Sequence, residues 1–183
     1  IVADSDYIYV AGTQDSFPDS KIRIEKREKA TGTLAPTFGT GGFVFADPST
    51  QEDGVTSLAV DSSYLYVVGF DSVPGAGNQQ WRLEKRDILS GALVGSFDGD
   101  GIVQSNPSAG NDNSNRVVVD SAYIYIAGYD MASGNAGWRV EKRDINTGAL
   151  VGAFNGSGIV QSDISVGNDV IYSGTVSAAM EGA

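Results

Sequence analysis

One phrase occurs three times along the chain, and this repetition constrains the fold more than any other feature of the sequence. In loose form the phrase is D-S-x-Y-[IL]-Y-[VI]-x-G, and it begins at Asp4, Asp61 and Asp120. The copies therefore follow one another about every 58 residues. Repetition at a fixed period predicts one small unit used several times, each copy burying its apolar face by stacking on its neighbours.

Two further phrases recur at the same intervals. The run R-x-E-K-R stands at 23–27, 82–86 and 139–143, and the run F-x-x-x-G-[IF]-V stands at 38–44, 97–103 and 154–160. Between residues 81–105 and 138–162, nineteen of twenty-five positions are identical. We interpret residues 1–183 as a single repeat array with copies at 1–57, 58–116 and 117–173, and residues 174–183 as the start of a partial fourth copy.

Each copy contains enough β-forming sequence for four strands. In the third copy these are Val117–Val119, Tyr123–Ile126, the alternating run Trp138–Arg143, and Leu150–Phe154 after an Asn-Thr-Gly turn. We therefore predict an all-β fold: a β-propeller-type array of about three four-stranded antiparallel blades. A β-solenoid is the alternative architecture, although its coils need shorter periods.

The composition removes several classes of function. The chain has no Cys and no His, which excludes Ser-His-Asp and Cys-His triads and every His-based metal site. Its 12 basic and 23 acidic residues give a net charge of −11, which repels nucleic acid and anionic lipid. No apolar run approaches the roughly 20 residues of a membrane span, so we expect no membrane insertion.

The run G-W-R-V-E-K-R-D-I-N-T-G-A-L at 137–150, followed by F-N-G-S-G-I-V at 154–160, resembles the delta-sixty-type β-propeller repeat of bacteria and archaea. Residues 38–42, F-G-T-G-G, are the part most similar to that family's Gly-rich phrase. The chain departs from the family where E-K-R-D stands in place of A-R-Y-N. The resemblance implies a propeller fold and a location outside the cell or in the cell envelope.

Charged and aromatic residues alternate along the repeated strands. Arg82, Glu84 and Arg86 fall on one strand face, and we expect them to pair with their copies on the neighbouring strand or blade; an acidic polymer is the alternative partner. Lys85 falls on the opposite, apolar face, where we expect its stem to cover apolar neighbours and its ammonium to reach water. Tyr66 and its counterparts are expected to pack between blades, with sugar binding as the alternative.

A short acidic run in the second copy has the spacing of a calcium loop. Asp98 and Asp100 flank a glycine, and carboxylate oxygens are ligands that calcium prefers. The other copies lack both carboxylates, so they do not belong to the repeat itself. We therefore keep calcium as a candidate ligand of these two residues; the alternative is a plain Gly-rich turn and no cofactor.

Three functions fit these observations. The regular repeat, the acidity and the missing catalytic residues favour a non-catalytic extracellular or cell-surface scaffold or interaction module. A polysaccharide-acting propeller enzyme using Asp and Glu is one alternative. A carbohydrate- or peptide-binding module is the other, because the long polar connectors between copies are where a ligand would be met.

The two ends of the array suggest that copies of the chain associate. The first copy holds only the end of its leading strand, whereas Val170–Val176 supplies a leading strand without the rest of a blade. We predict that this assembly strand, with Val170, Ile171, Tyr172 and Val176, completes the first blade of a neighbouring molecule head to tail, in a ring or a filament. The alternative is that further repeats of the same chain complete the blade.

Overall fold

The computed structural model describes residues 1–14 and 19–162, and within these ranges the chain consists of strands, turns and connectors with no helix. Among these residues, twelve strands form three sheets of four. The first sheet holds β1 (Val2–Ala3), β2 (Tyr7–Gln14), β3 (Lys21–Glu28) and β4 (Phe43–Ala46). The second holds β5 (Gly54–Val60), β6 (Tyr64–Asp71), β7 (Gln80–Asp87) and β8 (Ile102–Ser105), and the third holds β9 (Asn113–Val119), β10 (Tyr123–Asp130), β11 (Gly137–Asp144) and β12 (Ile159–Ser162).

Strands within each sheet lie side by side in chain order and every pair is antiparallel. The predicted all-β class with four-stranded antiparallel units is therefore confirmed. If the chain is divided by its sheets, the boundaries between units lie in the connectors 47–53 and 106–112. The boundaries that we assigned from the sequence, 57/58 and 116/117, fall inside β5 and β9.

The predicted position of the fourth strand was wrong. Leu150–Phe154 forms a turn rather than a strand: Leu150 makes only an isolated bridge to Arg143, and the Phe154 N–H donates to the carbonyl of Val151. The fourth strand is Ile159–Ser162, which pairs with β11. The apolar run resembles a strand in sequence, but it closes the turn that leads into the Gly-rich phrase.

The three sheets pack face to face, with the second sheet in the middle. On each sheet one face carries the central lysine and the opposite face carries the two arginines; we name them the lysine face and the arginine face. The register fixes this, because Tyr66 opposes Lys85 on one face and Leu65 opposes Arg86 on the other. The lysine faces of the first and second sheets each pack on the arginine face of the next sheet along the chain.

Two apolar clusters fill the spaces between the sheets. The cluster between the first and second sheets consists of Tyr9, Ile22, Ile24, Phe38, Leu58, Leu65, Val67 and Ile88. The cluster between the second and third sheets consists of Ala59, Tyr66, Val68, Trp81, Leu83, Phe97, Val103, Val117, Ile124, Ile126 and Ile145. The hydrophobic core therefore lies between sheets, and a single sheet has no core of its own.

In the second and third sheets, a glycine near the end of the second strand lets the leading strand come close. A Cβ placed on Gly69 would lie 1.9 Å from the carbonyl oxygen of Gly54, beside a register shift between Val55 and Ser57. A Cβ on Gly128 would lie 2.2 Å from the carbonyl oxygen of Asn113. These two glycines are required by close backbone approach rather than by a positive φ.

Candidate functional site

Each copy opens with an aspartate that organises the hairpin after it. Asp61 accepts the N–H of Ser63 at 2.7 Å and of Tyr64 at 2.8 Å through Oδ1, and the hydroxyl of Tyr66 at 2.8 Å through Oδ2. Burial, together with this bond to a carboxylate, raises the pKa of Tyr66 well above its ordinary value. The pairs Asp4–Tyr9 and Asp120–Tyr125 repeat the bond, so these aspartates serve the fold.

The charged run of β7 forms an ion cluster within its own strand. Arg82 Nε lies 2.7 Å from Glu84 Oε1, and Arg86 Nε lies 2.6 Å from Glu84 Oε2. Only 1% of the Glu84 side chain is exposed. The expectation that these charges are satisfied between packed sheets is confirmed, but the expected pairing with copies on neighbouring strands is wrong, because alternate residues on one strand face lie close enough to pair.

The ion cluster differs between the first sheet and the other two. In the third sheet, Arg139, Glu141 and Arg143 repeat the buried arrangement. In the first sheet the side chain of Arg23 is 29% exposed and that of Arg27 is 36% exposed. No other described sheet packs on that face, where the Arg23 guanidinium lies over the rings of Phe43 and Phe45 of the same sheet. An external acidic partner could therefore reach the arginines of the first sheet but not those buried between sheets.

A second carboxylate completes the ion cluster and was not anticipated from the sequence. Asp71 accepts Arg82 Nη1 at 3.1 Å, Gln80 Nε2 at 2.7 Å and Gln104 Nε2 at 2.9 Å, and it is fully buried. Asp130 has the same role in the third sheet. The first sheet has Gln14 at this position, so among the described residues its two arginines share a single carboxylate. Counted over the described residues, its ion cluster therefore keeps an excess positive charge.

Lys26 and Lys85 overturn the expectation that the ammonium groups of the central lysines reach water. Lys85 is 3% exposed, its Nζ lies 4.1 Å from the ring centroid of Tyr64, and it donates to the carbonyl oxygen of Ile145 at 2.7 Å. Lys26 makes the same contacts in the first sheet and donates to the carbonyl oxygen of Ile88 at 2.8 Å. Burial lowers the pKa of both lysines. An aromatic face and a backbone carbonyl replace the lost water.

The calcium candidates lie in an exposed turn. Asp98 has a φ of 51°, and its N–H donates to the carbonyl oxygen of Thr147 at 3.1 Å. Asp100 accepts the N–H of Ile102 at 2.8 Å. Across residues 1–14 and 19–162, the carboxylates form no group of three or more that could hold a metal ion. Calcium at Asp98 and Asp100 therefore remains a prediction supported by two carboxylates alone.

An open groove of about 460 Å³ lies between the edge of the first sheet and a turn of the second. Phe43 and Phe45 line it, with Arg86 and the turn 90–92 opposite. Ile102 and Gln104 occupy the equivalent positions of the second sheet, so the aromatic pair is particular to the first copy. None of the described residues along this groove carries a carboxylate, so it offers contact surface rather than acid–base groups.

The predicted assembly strand, with Val170, Ile171, Tyr172 and Val176, lies outside the described residues. Strand completion therefore remains a prediction. Within the described residues no helix is long and apolar enough to cross a membrane. Comparison of the chain with family models, with curated proteins and with solved structures found no match.

Proposed function

We propose that this chain is a non-catalytic scaffold or interaction module, located outside the cell or in the cell envelope, whose sheets are arranged as blades of a propeller-type array. One observation carries the proposal. The repeated ionisable groups, represented by Asp61, Glu84 and Lys85, are all engaged in bonds within a sheet or between sheets. Groups used in this way are not free to act as acid, base or nucleophile.

The sequence supports both the location at the cell surface and the propeller-type arrangement of the sheets. The likeness to delta-sixty-type repeats implies blades and a surface location, and face-to-face stacking of four-stranded sheets is compatible with blades. A net charge of −11 suits a module that stays soluble without binding nucleic acid. A surface scaffold also needs no cofactor.

A panel of glycans and peptides, assayed for both binding and turnover, tests the proposal. We expect no turnover. Turnover that disappears on substitution of a single aspartate or glutamate, with the fold intact by circular dichroism, would overturn the scaffold proposal in favour of the polysaccharide-acting enzyme.

The aromatic groove supports a binding module as a second candidate, since exposed rings are surfaces on which sugars and peptides pack. Phe45 is 46% exposed, and Leu89, a large apolar residue away from the groove lining, is 68% exposed. Binding on the same panel that is lost with Phe45→Ala and kept with Leu89→Ala would establish the groove as the site. Equal binding by both variants would exclude it.

We further propose that the module associates with itself head to tail through the assembly strand. Proline at Ile171 removes the N–H that a sheet ladder needs, so Ile171→Pro is expected to abolish association of the full chain measured by light scattering. Association that persists unchanged in this variant would contradict completion by this strand.

A further inference from the structure

The two interfaces between sheets repeat one set of contacts. At the first interface the N–H of Gly39 donates to the carbonyl oxygen of Ser90 at 2.7 Å. At the second, the N–H of Asp98 donates to the carbonyl oxygen of Thr147 at 3.1 Å. The lysine bonds to Ile88 and Ile145 repeat in the same way. The sheets therefore stack with one fixed register.

An aromatic ring packed on a glycine completes the set. A Cβ on Gly91 would lie 3.1 Å from the ring of Phe38, and a Cβ on Gly148 would lie 3.0 Å from the ring of Phe97. Any larger residue at either glycine would push the neighbouring sheet away. Each interface thus joins a lysine, a ring and a donor N–H on one side to two carbonyls and a glycine on the other.

The lysine face of the third sheet carries the lysine, the ring and the donor N–H of this set of contacts. Lys142 stands over the ring of Tyr123 at 3.8 Å, as Lys85 stands over Tyr64, but it is only half-buried. Phe154 is half-buried, whereas its counterparts Phe38 and Phe97 are fully buried. Within the described part of the chain, no sheet packs on this face.

The arginine face of the first sheet carries the other groups of the set, namely the two carbonyls and the glycine. Thr31 and Gly32 occupy the positions of Thr147 and Gly148, and Lys29 occupies that of Ile145. A Cβ on Gly32 would meet no described atom within 4 Å, in contrast to Gly91 and Gly148. The turn that would receive a ring and two donors is therefore present and open.

We propose that the lysine face of the third sheet binds the arginine face of the first sheet of a second copy, head to tail, in the register of the interior interfaces. Lys142 then donates to the carbonyl of Lys29, the N–H of Asn155 donates to that of Thr31, and Phe154 packs on Gly32. This inference rests on the self-association proposed above, and it assigns that association to sheet faces in addition to a strand.

Charge complementarity supports this pairing. Lys26 is attracted to Asp87 on the neighbouring sheet, and Glu28 occupies the position of Asp87 in the first sheet. Lys142 would therefore again meet a carboxylate. Lys29 replaces the buried Ile88 and Ile145, so less apolar area is buried and the contact between copies is expected to be weaker than the interior interfaces.

Disulfide crosslinking in the full chain tests the register, since the natural sequence has no cysteine. One variant carries Asn155→Cys and a second carries Thr31→Cys; the two are mixed under mild oxidation. The internal pair Asp98→Cys with Thr147→Cys is the positive control, because it is the same contact within one chain. Thr50→Cys, exposed in a connector at the opposite end of the sheet, replaces Thr31→Cys in the negative control.

We expect a covalent dimer on a non-reducing gel from Asn155→Cys with Thr31→Cys, and none from Asn155→Cys with Thr50→Cys. A failure of the first pair to crosslink, while the internal control does, would overturn face docking. Equal crosslinking by both mixtures would also overturn it, because it would report random collision. Association that persists in Ile171→Pro, with crosslinking retained, would instead reject strand completion alone.

A matched pair of glycine variants separates docking from backbone strain. Gly32 and Gly41 both have a positive φ, 72° and 67°, and both have open space around a built Cβ. Gly32→Val is expected to abolish association measured by sedimentation, because its side chain occupies the site of Phe154. Gly41→Val carries a similar strain and is expected to associate as the natural chain does. Association of both variants to the same extent would overturn the proposal.

Discussion

The ammonium group of Lys85 donates a hydrogen bond to the carbonyl oxygen of Ile145, 2.7 Å away across the space between the second and third sheets. Lys26 and Ile88 make the equivalent bond between the first and second sheets. The bond joins the centre of one sheet to the first residue after a strand of the next. It holds the sheets in one register, which apolar packing alone defines only loosely.

The first prediction concerns this bond. Lys85→Met keeps most of the side-chain volume but leaves the Ile145 carbonyl without its donor and removes the charge over the Tyr64 ring. We expect the free energy of unfolding at pH 7 to fall by about 1–3 kcal/mol, the cost of an unsatisfied buried group. Urea unfolding followed by circular dichroism measures it.

Lys142→Met is the matched control for the lysine prediction. Lys142 also lies over a tyrosine ring but is half-buried, and no described carbonyl accepts a bond from its ammonium group. Below the concentration at which copies associate, we expect a change of about 0.5 kcal/mol or less. Equal destabilisation by the two variants would show that the bond to Ile145 has no special importance.

The two tryptophans provide the second prediction. Trp81 is 2% exposed and its indole N–H donates to the carbonyl oxygen of Tyr129 at 3.0 Å, whereas Trp138 is half-buried on the outer face of the third sheet. Trp81→Ala should cost about 3–5 kcal/mol of unfolding free energy, as large-to-small core changes do. Trp138→Ala should cost about 1.5 kcal/mol or less in the monomer. Similar losses of unfolding free energy in the two variants would mean that Trp138 is also buried against another part of the protein.

The repeat allowed much of the fold to be predicted from the sequence. Copies of one phrase give the period, and period-two alternation correctly places Arg82, Glu84 and Arg86 on one face. The fourth strand was misplaced because Leu150–Phe154 is as apolar as a strand. What decides its structure is the bond from the Val151 N–H back to Lys142, which alternation does not reveal.

The chemistry between the sheets was harder to predict than the strands. A lysine on an apolar face ordinarily extends its ammonium to water, and Lys85 does not because its acceptor lies 60 residues further along the chain. Asp71 was missed for a related reason: its partners Gln80 and Gln104 come from two other strands. The recurrence of Asp71 as Asp130 in the next copy was the available signal.

The third prediction concerns the close approach at Gly69. A Cβ there would overlap the Gly54 carbonyl, so Gly69→Ala must move the leading strand and should cost about 3 kcal/mol or more. Gly12 is the matched position in the first sheet, and a Cβ there meets no described atom within 4 Å. Gly12→Ala should be neutral or stabilise by up to about 1 kcal/mol. Thermal unfolding of both variants measures the difference; a tolerated Gly69→Ala would contradict the described approach.

The last prediction concerns alkaline pH, where two kinds of buried group act in opposite directions. Lys26 and Lys85 have lowered pKa values, so in the window between those values and about 10.5 the unfolded chain binds more protons and stability rises with pH. Tyr9 and Tyr66 have raised pKa values, because burial and the carboxylates of Asp4 and Asp61 oppose ionisation.

The stability that the two tyrosines contribute is complete below about pH 10, the pKa of an unfolded tyrosine, and it is lost as pH rises toward their folded-state values. Above about pH 10.5 only the tyrosine effect remains, so we expect the free energy of unfolding to pass through a maximum near pH 10 and then fall. Phenolate absorbance should show that Tyr9 and Tyr66 ionise only as the chain unfolds. Tyr66→Phe should reduce the fall above pH 10, and ionisation of all eight tyrosines in the folded chain would contradict the buried bonds to Asp4 and Asp61.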